Sequence, residues 1–103
     1  MKVTATRKFN LKPMDSHKSF YGKAKVTETQ DGQGNNFAIL TSYETVVAVI
    51  DDYDNEDFRE FYRTWGGYSA TTMRHINSFR AIYGLSPINK ATWMAMPRVY
   101  NKY

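Results

Sequence analysis

Residues 20–43 read FYGKAKVTETQDGQGNNFAILTSY. From Phe20 to Thr29 the side chains alternate, with Phe20, Gly22, Ala24 and Val26 on one side and Tyr21, Lys23, Lys25 and Thr27 on the other. A period of two marks a strand with one buried face, and the opposite face here is basic and aromatic. Asp31, Gly32, Gln33, Gly34, Asn35 and Asn36 tolerate positive φ, so the chain reverses there and returns as a second strand from Phe37 to Tyr43. This hairpin makes an antiparallel sheet the nucleus of the fold.

Working outward, Thr45 to Ile50 is an unbroken run rich in β-branched residues, as in a central strand covered on both faces. Residues 3–9 alternate through Val3, Ala5, Arg7 and Phe9 and read as an opening strand, followed by a loop over Pro13 to Ser19. The stretch from Asp51 to Trp65 supports two readings. Phe58, Phe61, Tyr62 and Trp65 fall at helical spacing behind Asp54, a possible N-cap, while Phe61, Arg63 and Trp65 alternate as a strand would. An acidic turn leading to a strand paired with residues 45–50 is favoured, because Gly66 and Gly67 then form the exit from a hairpin.

After the glycines the period changes. Met73, Ile76, Phe79 or Arg80, and Tyr83 mark one helical face, with Ile82 beside it and Arg74, Asn77, Ser78 and Ala81 turned elsewhere. Ser69 is the natural N-cap and Gly84 the natural C′ residue. Leu85-Ser86-Pro87 breaks this helix, and Asn89 caps a short one from Lys90 to about Met94 that Pro97 ends, with Trp93, Met94 and Met96 closing the core. Strands followed by helices predict an α+β domain: an antiparallel sheet of about four to five strands, one C-terminal α-helix packed on a face, and a short final helix.

The chain has 103 residues, enough for one core, so residues 1–103 are read as a single domain. At 42% hydrophobic and 23% charged residues it has the composition of a folded domain. With no cysteine, disulfides, thiolate zinc sites and thiol catalysis are excluded. The longest apolar run, Val46 to Ile50, falls far short of the roughly 20 residues of a membrane span, and no signal-peptide pattern opens the chain. A soluble protein of the cytoplasm, with no membrane partner, is expected.

The formal charge of +4 hides a sorting along the chain. Residues 1–25 hold seven basic residues against Asp15, a net +6; residues 26–60 hold nine acidic residues against Arg59, a net −8; residues 61–103 hold six basic residues and no acid. If folding separates these blocks by more than the screening length of ~8 Å, the surface has distinct basic and acidic faces.

Few residues carry chemistry. His75 has no carboxylate within a helical turn and His17 lies in a separate loop, so a surface or core-edge histidine is expected. Neither zinc spacing nor a helical His pair exists. The run Asp51-Asp52-Tyr53-Asp54-Asn55-Glu56-Asp57 resembles a calcium loop, but its sixth position is Glu56 where glycine is required and its twelfth is Tyr62 where glutamate is required. No metal and no cofactor is expected. Ser69, Thr71 and Thr72 at the helix start, with Arg74 a turn on, read first as a capped terminus and second as an anion site.

Lys18-Ser19-Phe20-Tyr21-Gly22-Lys23-Ala24, Ser42-Tyr43-Glu44-Thr45-Val46-Val47-Ala48, and Tyr68-Ser69-Ala70-Thr71-Thr72-Met73-Arg74-His75-Ile76 with Phe79 together resemble a family of small uncharacterised proteins, a domain of unknown function, from bacteriophages and mobile elements of Gram-positive bacteria. The similarity spans roughly residues 7 to 95. It implies a setting, a small phage or plasmid product acting inside a bacterial cell, and no catalytic or binding residue. Proteins of that setting often inhibit host machinery, anti-CRISPR proteins among them. The expectation is a non-catalytic inhibitor of a host nucleic-acid-handling or defence protein or nucleoprotein complex, such as a nuclease, engaged through the acidic patch Asp51, Asp52, Asp54, Glu56 and Asp57. The alternative is direct, largely sequence-independent binding of DNA or RNA by a basic and aromatic face of Tyr21, Lys23, Lys25, Arg74 and Arg80. An enzyme is the weakest of the three classes, because no grouping of nucleophile, base and orienter is visible.

Overall fold

Each strand pairs with the one before it in the chain. The computed structural model describes residues 4–13, 20–30 and 32–99. Within them run β1 (Thr4–Asn10), β2 (Ala24–Gln30), β3 (Asn36–Ser42), β4 (Thr45–Asp51), β5 (Glu60–Arg63), α1 (Ala70–Ile82) and α2 (Lys90–Ala95). The sheet is an antiparallel meander in the order β1-β2-β3-β4-β5, and the α+β architecture is as the sequence predicts. Val3 of the opening strand, and the loop expected beyond Pro13, lie outside the described residues.

The strand boundaries differ from the sequence reading at two turns. The strand expected from Phe20 begins at Ala24, because Tyr21 and Gly22 take positive φ (53° and 74°) and the Lys23 amide donates back to the Phe20 carbonyl at 2.9 Å. Residues 20–23 are therefore a reverse turn, which alternation alone cannot tell from a strand. Strand β3 stops at Ser42, leaving Tyr43 and Glu44 as a two-residue turn with φ of 50° and 68°. Residues 54–59 are turn, and residues 60–63 form β5, paired with Ala48–Asp51; the strand reading of this segment holds over the helical one.

The run 45–50 is covered on both faces, as its unbroken apolar character predicts, and it carries a β-bulge. Leu40 pairs with Ala48 and Thr41 with Val46, so Val47 is the extra residue. Val47, Ala48 and Ile50 then join the main core beneath the helices, while Val46 and Val49 pack with Phe37 and Ile39 on the opposite face.

Helix α1 lies across β2–β4 with Met73, Ile76, Phe79 and Tyr83 buried against Ala24, Val26, Leu40 and Ile50. The Ser69 hydroxyl accepts from the Thr72 amide at 3.0 Å. The other end closes in a Schellman motif, with Gly84 N–H to Ala81 O (3.0 Å) and Leu85 N–H to Arg80 O (2.8 Å) across a left-handed Gly84. The buried stripe is wider on one side than expected, since Thr72, His75 and Ser78 are also inside, while Ile82 is exposed. At this end Glu28, buried on β2, accepts from Tyr83 Oη at 2.6 Å and from Arg7 Nε at 2.8 Å. Burial and the adjacent Glu28 carboxylate both push the Tyr83 phenol far above its usual range.

Helix α2 is capped by Asn89, whose side chain accepts from the Thr92 amide at 2.8 Å. Trp93 is its anchor, fully buried and donating Nε1–H to Gly67 O at 2.8 Å, whereas Met94 lies exposed. Behind Trp93 lies Arg63 of β5, 5% exposed, which donates to the carbonyls of Trp65, Gly66, Trp93, Met94 and Met96 at 2.7–3.3 Å. Its guanidinium also sits 4.8 Å from the Trp93 ring.

Candidate nucleic-acid interface

Two reverse turns meet at one end of the sheet. One is Phe20–Lys23; the other, between β3 and β4, is Tyr43-Glu44. The Tyr43 amide donates to the Lys23 carbonyl at 2.9 Å and ties them together. Each turn places a tyrosine at its first left-handed position, Tyr21 at φ 53° and Tyr43 at φ 50°. Glycine or asparagine suits that conformation and an aromatic residue does not, because its Cβ crowds the backbone. Both rings stand out from the surface, 75% and 51% exposed.

The first turns of α1 lie beneath. His75 Nδ1 is 2.8 Å from Ser42 Oγ, which in turn is 3.2 Å from Thr72 Oγ1. The Phe20 ring meets the imidazole edge-on at 4.4 Å, and Tyr43 lies tilted over it at 5.6 Å. The sequence suggests a histidine at the surface or the core edge, but His75 is 1% exposed. Burial, helped by nearby Arg74, holds its pKa below the usual imidazole range, so it is a neutral support at pH 7. Ser42 is equally buried. The Ser42–His75 pair thus braces helix to sheet, with its hydroxyl turned inward.

Phe20, Tyr21, Lys23, Tyr43, Thr71, Arg74 and His75 line a cavity of about 420 Å³ between the turns and the helix. The Arg74 guanidinium lies 5.6 Å from the Phe20 ring at its rim. Of the basic and aromatic residues singled out from the sequence, Tyr21, Lys23 and Arg74 converge here. Lys25 sits one strand position beyond Ala24, on the sheet face away from the helices, and lines the adjoining hollow with Lys23 and Tyr43. Arg80 is not part of the group: it lies in the last turn of α1, donates Nε–H to Ser86 O at 2.7 Å, and covers the Phe61 ring at 4.6 Å.

Tyr43 and His75 are additions to the sequence reading. A strand ending at Tyr43 leaves only Glu44 before Thr45, too few residues for a reversal, and a two-residue turn with positive φ at Tyr43 and Glu44 resolves this. His75 gave no signal, because its placement depends on how α1 crosses β3.

The acidic residues gather at the opposite end of the sheet. Asp51 closes β4; Asp52 has φ 57° and its amide donates to Asn36 O at 2.7 Å; Asp54 accepts from the Asn36 side chain at 2.9 Å; Glu56 and Asp57 are exposed beside Phe58, which is 69% exposed. Six strand steps of about 3.3 Å separate Thr45 from Asp51, roughly 20 Å and well beyond the screening length of ~8 Å. Folding therefore keeps the charges at two poles, although Glu44 stands beside the basic one. Among the described residues no group of three His, Asp or Glu side chains is placed to hold a metal ion, and no helix is long and apolar enough to cross a membrane.

No curated protein and no solved structure matches the chain. A sequence family does: its model matches residues 9–95, which takes in both turns, the acidic segment and both helices, and the chain accordingly belongs to that family of unknown function, DUF8033.

Proposed function

We propose that this protein is a non-catalytic nucleic-acid binder whose contact surface is the paired-turn end of the sheet. One observation carries the reading: two adjoining turns each hold an exposed tyrosine in a left-handed conformation, with Lys23, Lys25 and Arg74 around them. Backbone strain of this kind costs about 1–3 kcal/mol per residue and concentrates at functional positions. Exposed aromatic rings offer stacking faces to any base, and lysine and arginine neutralise phosphates. The inward-facing Ser42 hydroxyl favours binding over hydrolysis. A phage or mobile-element product acting in the bacterial cytoplasm fits such a role, since nucleic acid is the common substrate of host defence.

The test is fluorescence anisotropy with labelled oligonucleotides of several sequences at about 50 and 200 mM salt. Lys23→Glu with Lys25→Glu is expected to weaken binding for all sequences alike and to flatten its salt dependence, because phosphate contacts dominate that dependence. Unchanged binding would overturn the assignment.

The acidic pole favours a second reading, inhibition of a host nucleic-acid-handling protein. Exposed Phe58 amid Asp54, Glu56 and Asp57 offers an apolar anchor inside an acidic rim, complementary to a basic groove. Replacing Asp52, Asp54 and Asp57 with asparagine is then expected to abolish inhibition of a sensitive host nuclease, mainly by slowing association, while stability holds or rises. A triple variant that inhibits as well as the parent at physiological salt would leave this pole a solvated turn.

A further inference from the structure

The cavity under Tyr21 and Tyr43 does not stand alone. A second hollow of about 420 Å³ is lined by Gly22, Lys23, Lys25, Thr41, Tyr43 and Glu44. A third, of about 450 Å³, is lined by Lys8, Phe9, Asn10, Lys25, Thr27 and Thr41. The first and second share Lys23 and Tyr43; the second and third share Lys25 and Thr41. They form one track from the start of α1, across the paired turns, onto the sheet face of β2 and β1.

We propose that this track holds a single unpaired polynucleotide strand, DNA or RNA, over at least three consecutive nucleotides. The inference rests on the nucleic-acid reading above and adds the state of the strand and its path.

The spacing of the cations supports it. Lys23 and Lys25 are two residues apart along an extended segment, about 7 Å. Lys8 opposes Thr27 across the β1–β2 pair and so lies diagonal to Lys25, at roughly 7–8 Å. The ladder therefore sets one cation beside each successive phosphate of a strand that follows the track. Each hollow falls within the size of small-ligand sites, roughly 300–1,000 Å³, and so has room for a single nucleotide. Tyr21 and Tyr43 project as a ridge that a duplex, its base faces already stacked, has no way to use. An unpaired base lies flat on either ring. Glu44 is the one carboxylate among the residues lining the track, and the three lysines outweigh it.

The experiment titrates the whole protein against oligothymidylates and oligouridylates of one to eight nucleotides, a blunt duplex of equal charge, and polyglutamate, in parent and Lys8→Glu forms. Lys8 is exposed and lies outside the paired-turn cavity. Affinity is expected to climb until at least three nucleotides are present and to reach about tenfold or more over the mononucleotide, with duplex and polyglutamate about tenfold weaker than the octamer. Lys8→Glu should weaken the octamer several-fold and leave the dinucleotide unchanged. The DNA and RNA arms show which polymer is preferred.

Saturation at one nucleotide, a duplex or polyglutamate that binds as tightly as the octamer, or an octamer indifferent to Lys8→Glu overturns the track. If binding in those cases still requires Lys23 and Lys25, the nucleic-acid reading survives without it. Failure of every oligonucleotide to bind overturns both.

Discussion

Arg63→Ala is expected to lower the stability of the fold by about 3–5 kcal/mol, through lost hydrogen bonds to buried carbonyls and the void left beside Trp93. Arg63 is an unusual buried cation, since the partners of its guanidinium are the carbonyls of Trp65, Gly66, Trp93, Met94 and Met96. Three of these belong to the C-terminal part of α2 and its cap, where unpaired carbonyls and the negative end of the helix dipole collect. A six-residue helix with no basic residue in its last turn has little else to satisfy them. Removing the side chain takes away a donor from five carbonyls, of which only Trp93 O keeps the Met96 amide, and opens a void against the fully buried Trp93. For a domain of this size each kcal/mol shifts Tm by about 4–8 °C, so a fall of more than 12 °C is expected in thermal unfolding, with Trp emission shifted to the red. Arg63→Lys should recover less than half of the loss, because one ammonium group cannot span five carbonyls that a planar fork reaches together. A Tm within about 2 °C of the parent would show that α2 is held by Trp93 alone.

Arg63 also shows where sequence reasoning stopped. In the sequence it was one more positive charge in a block of six without an acid, and arginine in an alternating segment ordinarily faces solvent. Nothing local announces that five carbonyls from two later segments will close around it. The elements themselves were legible because each depended on neighbours in the chain: the β2–β3 hairpin on its turn residues, α1 on Ser69 and Gly84, α2 on Asn89. The same holds for the strand at 60–63, which Gly66-Gly67 favoured over a helix.

What could not be read were effects created by register. The strand 45–50 is covered on both faces as its apolar run predicts, but the bulge at Val47, which sets which side chains of β4 meet α1, has no local mark in the sequence. Met73, Ile76, Phe79 and Tyr83 take the inner positions that the helical period gives them, whereas Ile82, placed beside that face, lies outside, and the polar Thr72, His75 and Ser78 are buried next to β3, where His75 meets Ser42. The candidate interface was half legible for the same reason. Lys23 and Lys25 lie on one short segment, and their proximity was certain. Arg74 joins them, and Arg80 does not, because α1 runs from the basic pole to the acidic one and carries its two arginines to opposite ends of the molecule.

Tyr21→Asn combined with Tyr43→Asn is expected to cut oligonucleotide affinity by at least about 2 kcal/mol, roughly 30-fold, while leaving stability within about 1 kcal/mol of the parent. The two effects have separate origins. Each ring supplies one stacking face, and stacking a base on an aromatic side chain contributes about 1–3 kcal/mol. Asparagine removes that face but adopts positive φ more readily than any aromatic residue, so it relaxes both turns. The relief at position 43 is offset by loss of the ring over His75, and at position 21, where the ring is 75% exposed, little is lost. Selection for stability alone would therefore place asparagine or glycine at both positions, and the tyrosines stand there against that preference. Changing both to phenylalanine should preserve affinity within about threefold, because the stacking face remains and only the hydroxyls go. If the phenylalanine variant fails as badly as the asparagine one, the hydroxyls rather than the rings make the contact, and recognition runs through hydrogen bonds. If the asparagine variant binds like the parent, the rings contribute nothing and the lysines alone hold the phosphates.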